Sequence, residues 1–148
     1  MEMKVMPPSY FVLALILIIG AHLIFPITLI ISPPYTYSGI ILVVFGIIMN
    51  LWADSLFKKM NTTVKPNKSP TSMITSGPFK ISRHPMYCGM ALILLGVAVF
   101  LGSITPFVFP VAFIILMETE FIVGEEKKMA AIFGSKYLDY KRKIRRWI

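Results

Sequence analysis

Basic residues are missing from two long stretches of this chain. No lysine or arginine occurs at residues 5–57 or 84–126, although the chain contains 15 of them and carries a net charge of +8. A basic side chain at the centre of a bilayer costs about 2.5–3.5 kcal/mol on insertion scales, so such gaps are typical of spanning helices. Only 15% of the residues are charged, against about 25% in soluble domains. The sequence therefore predicts an integral membrane protein.

Two other absences limit which kind of protein this chain can be. The chain has one cysteine, Cys88, which excludes an internal disulfide. Residues 1–8 lack the short apolar core and cleavage pattern of a secretory signal, and the apolar stretch after them is too long for one. We therefore expect that stretch to be a helix of the mature protein.

Four apolar stretches are candidates for spanning helices: residues 10–31, 37–57, 86–101 and 107–123. Crossing a bilayer takes about 20 mainly apolar residues, so the third stretch is short. Pro26 lies inside the first stretch and is expected to kink it. In the third, Gly89 and Gly96 share a helix face and would allow close packing. The last two stretches are predicted to form a helical hairpin.

Two polar segments complete the predicted architecture. Residues 58–83 form a long polar loop, and such loops are either functional or disordered. Residues 125–148 alternate apolar and basic positions at helical spacing, which predicts an amphipathic helix at the lipid headgroups. We thus expect one all-α polytopic membrane domain over residues 1–148. It consists of an N-terminal hairpin (1–58), and of a cofactor-binding loop, a second hairpin and an interfacial helix (59–148).

The basic residues also predict the orientation. With four spans, all fifteen lysines and arginines fall on one side of the membrane. The positive-inside rule makes that side cytoplasmic, which predicts a multi-pass protein of the cell membrane with both termini in the cytoplasm. Topology and anionic lipid therefore explain the positive charge more simply than nucleic acid does. We predict no nucleic-acid partner and no metal site.

The first candidate functional motif lies at residues 75–89, leading into the third stretch. Pro85 suits the first turn of a helix, where its missing N–H costs nothing. It also keeps His84 out of helical geometry, so that the helix start can face an anionic ligand. The alternative is an interfacial cap, in which Arg83 extends its charge toward the headgroups.

The second motif is Glu125-Glu126, just after the fourth stretch, with Glu118 and Glu120 slightly deeper. Acidic residues near a membrane helix are expensive and are usually functional or paired. A carboxylate accepts hydrogen bonds, for example from ribose hydroxyls or an amino group. Ordinary pairing with neighbouring lysines is the alternative. Because the two motifs begin and end one hairpin, we expect them to face each other.

Taken in order, these motifs resemble a known family. The chain reads Ser-Gly-x-Phe, Arg-His-Pro-x-Tyr-x-Gly, an apolar hairpin, Glu-Glu, and then Phe-Gly-x-x-Tyr-x-x-Tyr at residues 133–140. This order resembles the isoprenylcysteine carboxyl methyltransferase family, within a superfamily that also holds phospholipid N-methyltransferases. The resemblance covers residues 71–147 approximately, and the first two helices carry no signature.

The resemblance implies a site for S-adenosylmethionine between membrane helices and the cytoplasmic loop. No Gly-x-Gly turn after a predicted strand is found, in keeping with a site that is not a Rossmann sheet. Phe79 stands where the family usually has tyrosine. The implied cofactor-binding residues are Thr71, Ser72, Met73, Ile74, Phe79, His84, Pro85, Met86, Tyr87, Glu125 and Glu126.

The acceptor is less well defined. The resemblance implies a lipid-like or prenylcysteine-like molecule, methylated on a carboxyl oxygen. However, Phe121 stands where the prenylcysteine enzymes have an arginine thought to hold the carboxylate. Asn50 and Asp54, one turn apart on one helix face, are further candidates for contacts with the acceptor.

Three alternatives to this function stay open. The acceptor could be the amine of a phospholipid, or the protein a related membrane reductase that uses a nicotinamide cofactor. A small transporter or assembly factor is the non-enzymatic alternative. Small exporters of this size carry an acidic residue in the first helix, whereas this one has only His22, which is more often a packing residue than a proton relay.

Overall fold

The computed structural model of the chain describes residues 6–63 and 68–148, and its main elements are helices. Residues 1–5 and 64–67, which include two of the basic residues counted above, lie outside the described part. The helices are α1 (Pro7–Ile24), α2 (Ser38–Lys59), α3 (Pro85–Leu101), α4 (Val108–Met117), α5 (Val123–Phe133) and α6 (Ser135–Lys143). A π-helical turn, Glu118–Ile122, joins α4 to α5 without a break. The all-α prediction is confirmed.

Within the described residues, three helical segments are long and apolar enough to cross a membrane: Pro7–Ile24, Tyr35–Lys59 and Thr105–Phe133. The fourth, α3, is apolar but has only 17 residues. Many large apolar side chains of α1 and α2 point outward, among them Ile16 and Ile41 with 62% and 70% of their surface exposed. A soluble protein rarely leaves so much apolar surface uncovered, so these faces are suited to lipid.

The first helix is shorter than predicted. It ends at Ile24, so Pro26 follows α1 and does not kink it. Proline disfavours helical geometry in the residue before it, and Phe25 accordingly leaves the helix with φ −134°. The chain then runs along the turn between α3 and α4, where the amides of Ile30 and Ile31 both donate to the Gly102 carbonyl. In the predicted helix, which extended to residue 31, these amides would have donated to carbonyl groups of the same helix. In the structure they donate to the Gly102 turn instead.

Glycines bring α2 and α3 into close contact. A Cβ atom on Gly46 would lie 2.6 Å from the Gly89 carbonyl oxygen, and one on Gly96 would lie 2.6 Å from that of Gly39. Real Cβ atoms do not approach backbone this closely, so each position requires glycine. The predicted packing role of Gly89 and Gly96 is confirmed, with two glycines of α2 as their partners.

The second half of the chain differs from the predicted hairpin and tail. The helix that was expected to end at residue 123 continues through α5 to Phe133, so the Glu125–Glu126 pair lies on it. The tail is two helices, because the chain turns at Gly134, whose φ of +54° favours glycine. The core joins α1, α3 and the α4–α5 region through fully buried Ile18, Leu94, Met117 and Ile122. This core holds the start of α3 beside α5.

Candidate active site

The turn before α3 fixes the position of His84. Pro85 occupies the first turn of α3 as predicted, and His84 precedes it in a non-helical conformation with φ −127°. The fully buried Ser82 hydroxyl accepts a hydrogen bond from the His84 amide at 3.1 Å. The same hydroxyl donates to the Arg146 carbonyl at 2.9 Å. The imidazole is thereby held at the start of α3, facing α5.

Glu126 is the centre of a buried charge cluster, which we call the Glu126 cluster. The carboxylate is only 3% exposed. It accepts hydrogen bonds from Arg83 at 2.7 Å and from two nitrogens of Arg146 at 3.1 and 2.9 Å. Lys141 adds an ion pair at 3.1 Å. A buried carboxylate needs such partners to remain charged, and here they come from the turn before α3 and from the C-terminal segment that contains Lys141 and Arg146.

Glu125 lies beside this cluster and faces the start of α3. Its Oε1 accepts a hydrogen bond from the Tyr87 hydroxyl at 2.6 Å. Its Oε2 lies 3.5 Å from His84 Nδ1, and the second ring nitrogen of His84 lies 3.5 Å from Glu126. The two motifs expected to face each other are therefore in contact, and the His84 ring stacks on Tyr87 with centroids 5.8 Å apart.

The electrostatic environment favours the protonated form of His84. Burial alone lowers the pKa of the imidazole, but contacts with Glu125 and Glu126 outweigh burial and raise the pKa above its usual 6.5. The side chain therefore carries positive charge at a higher pH than a free histidine would. In its protonated form it can donate to an anionic group from both ring nitrogens.

A cavity of ≈ 310 Å³ opens beside this pair. Its volume lies at the lower end of the range for small-molecule sites, about 300–1,000 Å³. The wall is mostly apolar and aromatic, with Phe79, Tyr87, Tyr137 and Tyr140 among its members. The polar groups of Arg83, His84 and Glu125 converge on one side of it.

The predicted cofactor residues divide into two groups. Eight of them line the cavity: Ser72, Ile74, Phe79, His84, Pro85, Met86, Tyr87 and Glu125. Three lie outside the lining. Thr71 bonds to Asn61 and Thr62 within the loop, Glu126 is enclosed by its cationic partners, and Met73 is half-buried next to the lining residues.

The three candidate acceptor residues also lie outside the cavity lining. Asn50 donates to the Gly46 carbonyl within α2. Asp54 forms an ion pair with Lys58 one turn later. Phe121 is buried in the core, where its ring meets Tyr10 edge-on.

Sequence reasoning did not single out several residues of the site. Met6, Pro7 and Pro8 contribute to the cavity wall, so the start of α1 closes one side of it. Tyr137 and Tyr140 close another, and the Tyr140 hydroxyl donates to the Phe79 carbonyl at 2.6 Å. Burial, followed by the nearby Glu126 charge, raises the pKa of Tyr137 to about 12, so this phenol keeps its proton. Tyr137 and Tyr140 both belong to the motif at residues 133–140 that carries part of the family resemblance, but that resemblance did not assign them to the cofactor site.

Comparison with known proteins identifies the family of the chain. A family model described as phospholipid methyltransferase matches residues 35–136. The chain belongs to this family. An uncharacterized protein of Haemophilus influenzae is 35% identical over 63 residues, which are 43% of this chain and all of that protein. No solved structure is significantly similar to the chain. Family membership confirms the membrane methyltransferase class that the motifs indicated.

Proposed function

We propose that the protein transfers a methyl group from S-adenosylmethionine to a lipid-like acceptor at the membrane interface. The observation that carries this proposal is the convergence of His84, Tyr87 and Glu125 on one aromatic-walled cavity, in a chain of a methyltransferase family. The cavity lies at the end of the helices that carries the lysines and arginines. By the positive-inside rule this end faces the cytoplasm, where the cofactor is available.

The lining residues fit the chemical groups of the cofactor. S-adenosylmethionine supplies an activated methyl group on a positively charged sulfonium. The faces of Phe79 and Tyr87 can attract such a cation. Glu125 offers acceptor oxygens for ribose hydroxyls or an amino group. Protonated His84 and Arg83 offer donors for a carboxylate, and a nitrogen of each is buried without a hydrogen-bond partner among the described residues.

The remaining predicted residues would act at the edge of the site. Ser72, Ile74, Pro85 and Met86 form its wall. We place Thr71 and Met73 in the supporting loop. Glu126 would act through Arg83 and His84 rather than touch the cofactor, because its own oxygens are occupied.

We place the acceptor on the apolar part of the wall rather than at Asn50, Asp54 or Phe121. This wall includes Met6, Phe57 and Met129, which can contact a hydrocarbon chain that enters from the bilayer. Methyl transfer needs alignment and exclusion of water more than a reactive side chain, and a cavity of this kind supplies both.

A carboxylate is the acceptor that we favour. It reacts without losing a proton, whereas an ammonium must first lose one to a base. Burial lowers the pKa of His84, but the contacts with Glu125 and Glu126 raise it above its usual value, so the ring keeps its proton to a higher pH than a free histidine does. The second candidate is the amine of a phospholipid, which is favoured by the description of the matching family.

The proposal is tested by calorimetric binding of S-adenosylhomocysteine to the protein purified in detergent. Wild type should bind, and Glu125→Gln and His84→Ala should bind much more weakly. Asp139→Asn is a matched control because this carboxylate is 64% exposed and does not line the cavity. The proposal fails if wild type does not bind at ligand concentrations up to about 1 mM, the upper end of ordinary KM values.

A product analysis then separates the two acceptors. The protein is supplied with labelled donor and either a prenylated cysteine or vesicles of phosphatidylethanolamine. A methyl ester is released by mild base, whereas an N-methyl product is stable. Label that survives base treatment would favour the phospholipid amine over the carboxylate.

A further inference from the structure

The segment at residues 144–148 joins the two helices that carry the candidate site. On the α3 side, the Arg83 amide donates to the Arg145 carbonyl at 3.0 Å, and Cys88 Sγ donates to the Trp147 carbonyl at 3.2 Å. On the other side, Trp147 Nε1 donates to Glu118 at 2.8 Å. The segment therefore bridges the start of α3 and the α4–α5 helix.

Arg146 makes the most connections within this segment. Its guanidinium binds both oxygens of Glu126 and also Glu118. Glu118 is the first residue of the π-helical turn Glu118–Ile122, and Glu126 follows that turn in α5. A planar guanidinium holds carboxylates in a defined orientation, which a lysine does not. Glu126 in turn holds Arg83 at 2.7 Å and lies 3.5 Å from His84. The orientation of both cavity residues thus depends on the position of Glu126.

We propose that Arg146, supported by Trp147, is a positioning residue for cofactor binding. It fixes Glu126 across the irregular turn, and Glu126 then orients Arg83 and His84 toward the cavity. This inference rests on the proposed function, because it concerns the same site. Arg146 does not line the cavity, so it acts through other side chains.

The alternative role is purely structural, in which Arg146 only stabilises the fold. Calorimetry separates the two roles, because it gives the dissociation constant and the number of binding-competent molecules independently. If the role is purely structural, loss of Arg146 lowers the fraction of molecules that can bind and leaves their dissociation constant unchanged. If Arg146 positions the site, its loss raises the dissociation constant of the molecules that remain folded.

The experiment compares binding of S-adenosylhomocysteine by wild type, Arg146→Gln and Arg146→Lys. We expect Arg146→Gln to weaken binding about ten- to a hundredfold. Without Arg146, Arg83 and His84 would shift relative to the cofactor, and a displacement of about 1 Å can cost a factor of about a hundred. Arg146→Lys should recover part of the affinity, because an ammonium keeps the charge but cannot bind two carboxylates in a fixed plane. Arg142→Gln loses the same charge from a side chain that is 79% exposed, and should bind as wild type does.

Arg146→Gln should fold, because Glu126 keeps Arg83 and Lys141 as partners. If it does not, Arg146→Lys and Trp147→Phe decide the question, since each keeps most of the packing. A dissociation constant within about twofold of wild type in the folded variants would overturn the positioning role. Failure of wild type itself to bind would instead overturn the proposed function, and this inference with it.

Discussion

Replacing Glu126 with glutamine would remove the negative charge that Arg83, Lys141 and Arg146 contact directly. Hydrogen bonds to charged groups contribute about 1.5–3 kcal/mol each. The Arg146 and Lys141 side chains are 30% and 43% exposed, so water replaces much of what they lose. Arg83 is only 8% exposed and cannot be rehydrated in the same way. We therefore expect Glu126→Gln to lower the free energy of unfolding by about 2–3 kcal/mol, less than the 3–5 kcal/mol typical of a fully buried pair.

Unfolding by a denaturing detergent, followed by helix content, measures this loss. Glu118→Gln is the matched control, because Glu118 binds the same arginine but is 36% exposed. We expect this control to lose about 1 kcal/mol or less, as for a surface pair. If the two variants are equally stable, or if Glu126→Gln is as stable as wild type, burial does not determine how much the ion pairs of Glu126 stabilise the fold.

Three further predictions concern packing, pH and a single hydrogen bond. A Cβ on Gly89 would lie 2.8 Å from a carbonyl oxygen of α2, whereas one on Gly20 has nothing within 4 Å. Gly89→Val should therefore cost about 1–3 kcal/mol in the same assay, and an equal loss from Gly20→Val would contradict the close packing. Burial lowers the pKa of His84 but the adjacent carboxylates raise it above 6.5, so its stabilising charge is present below pH 6.5 and is lost as the pH rises through the raised value. As the pH rises through this range, the melting temperature of wild type should therefore fall relative to that of His84→Asn. Melting temperatures of the two proteins that change in parallel with pH would refute this prediction. Tyr140→Phe removes the hydrogen bond to the Phe79 carbonyl and should cost about 1 kcal/mol, so an unchanged melting temperature would count against it.

The fold was largely predictable because its main determinants are local. Stretches without basic residues identified the membrane helices, and Pro85 identified the start of α3. The error at the end of α1 arose because the apolar stretch continues beyond the helix. An apolar sequence cannot by itself distinguish a kinked helix from an extended segment that pairs with the Gly102 turn.

The site was predictable only in part, for a related reason. The two motifs are each compact, and their positions at the ends of neighbouring helices predicted that they would meet. Arg146 and Trp147 gave no such signal, because arginines of this basic segment are also explained by membrane orientation. Their roles depend on contacts with residues 20 to 64 positions away, which local spacing does not reveal.

In the proposed function, this cavity brings the activated methyl group of S-adenosylmethionine to a lipid-like acceptor. Its most direct test incubates the purified protein with S-adenosylmethionine carrying a deuterated methyl group and a membrane lipid extract, followed by mass spectrometry of the lipid fraction. We predict a lipid-soluble product with the mass increase of the deuterated methyl group for wild type and Asp139→Asn, and its loss in Glu125→Gln. Binding of the cofactor without any labelled product, or label that appears with Glu125→Gln at the wild-type rate, would contradict the proposed function.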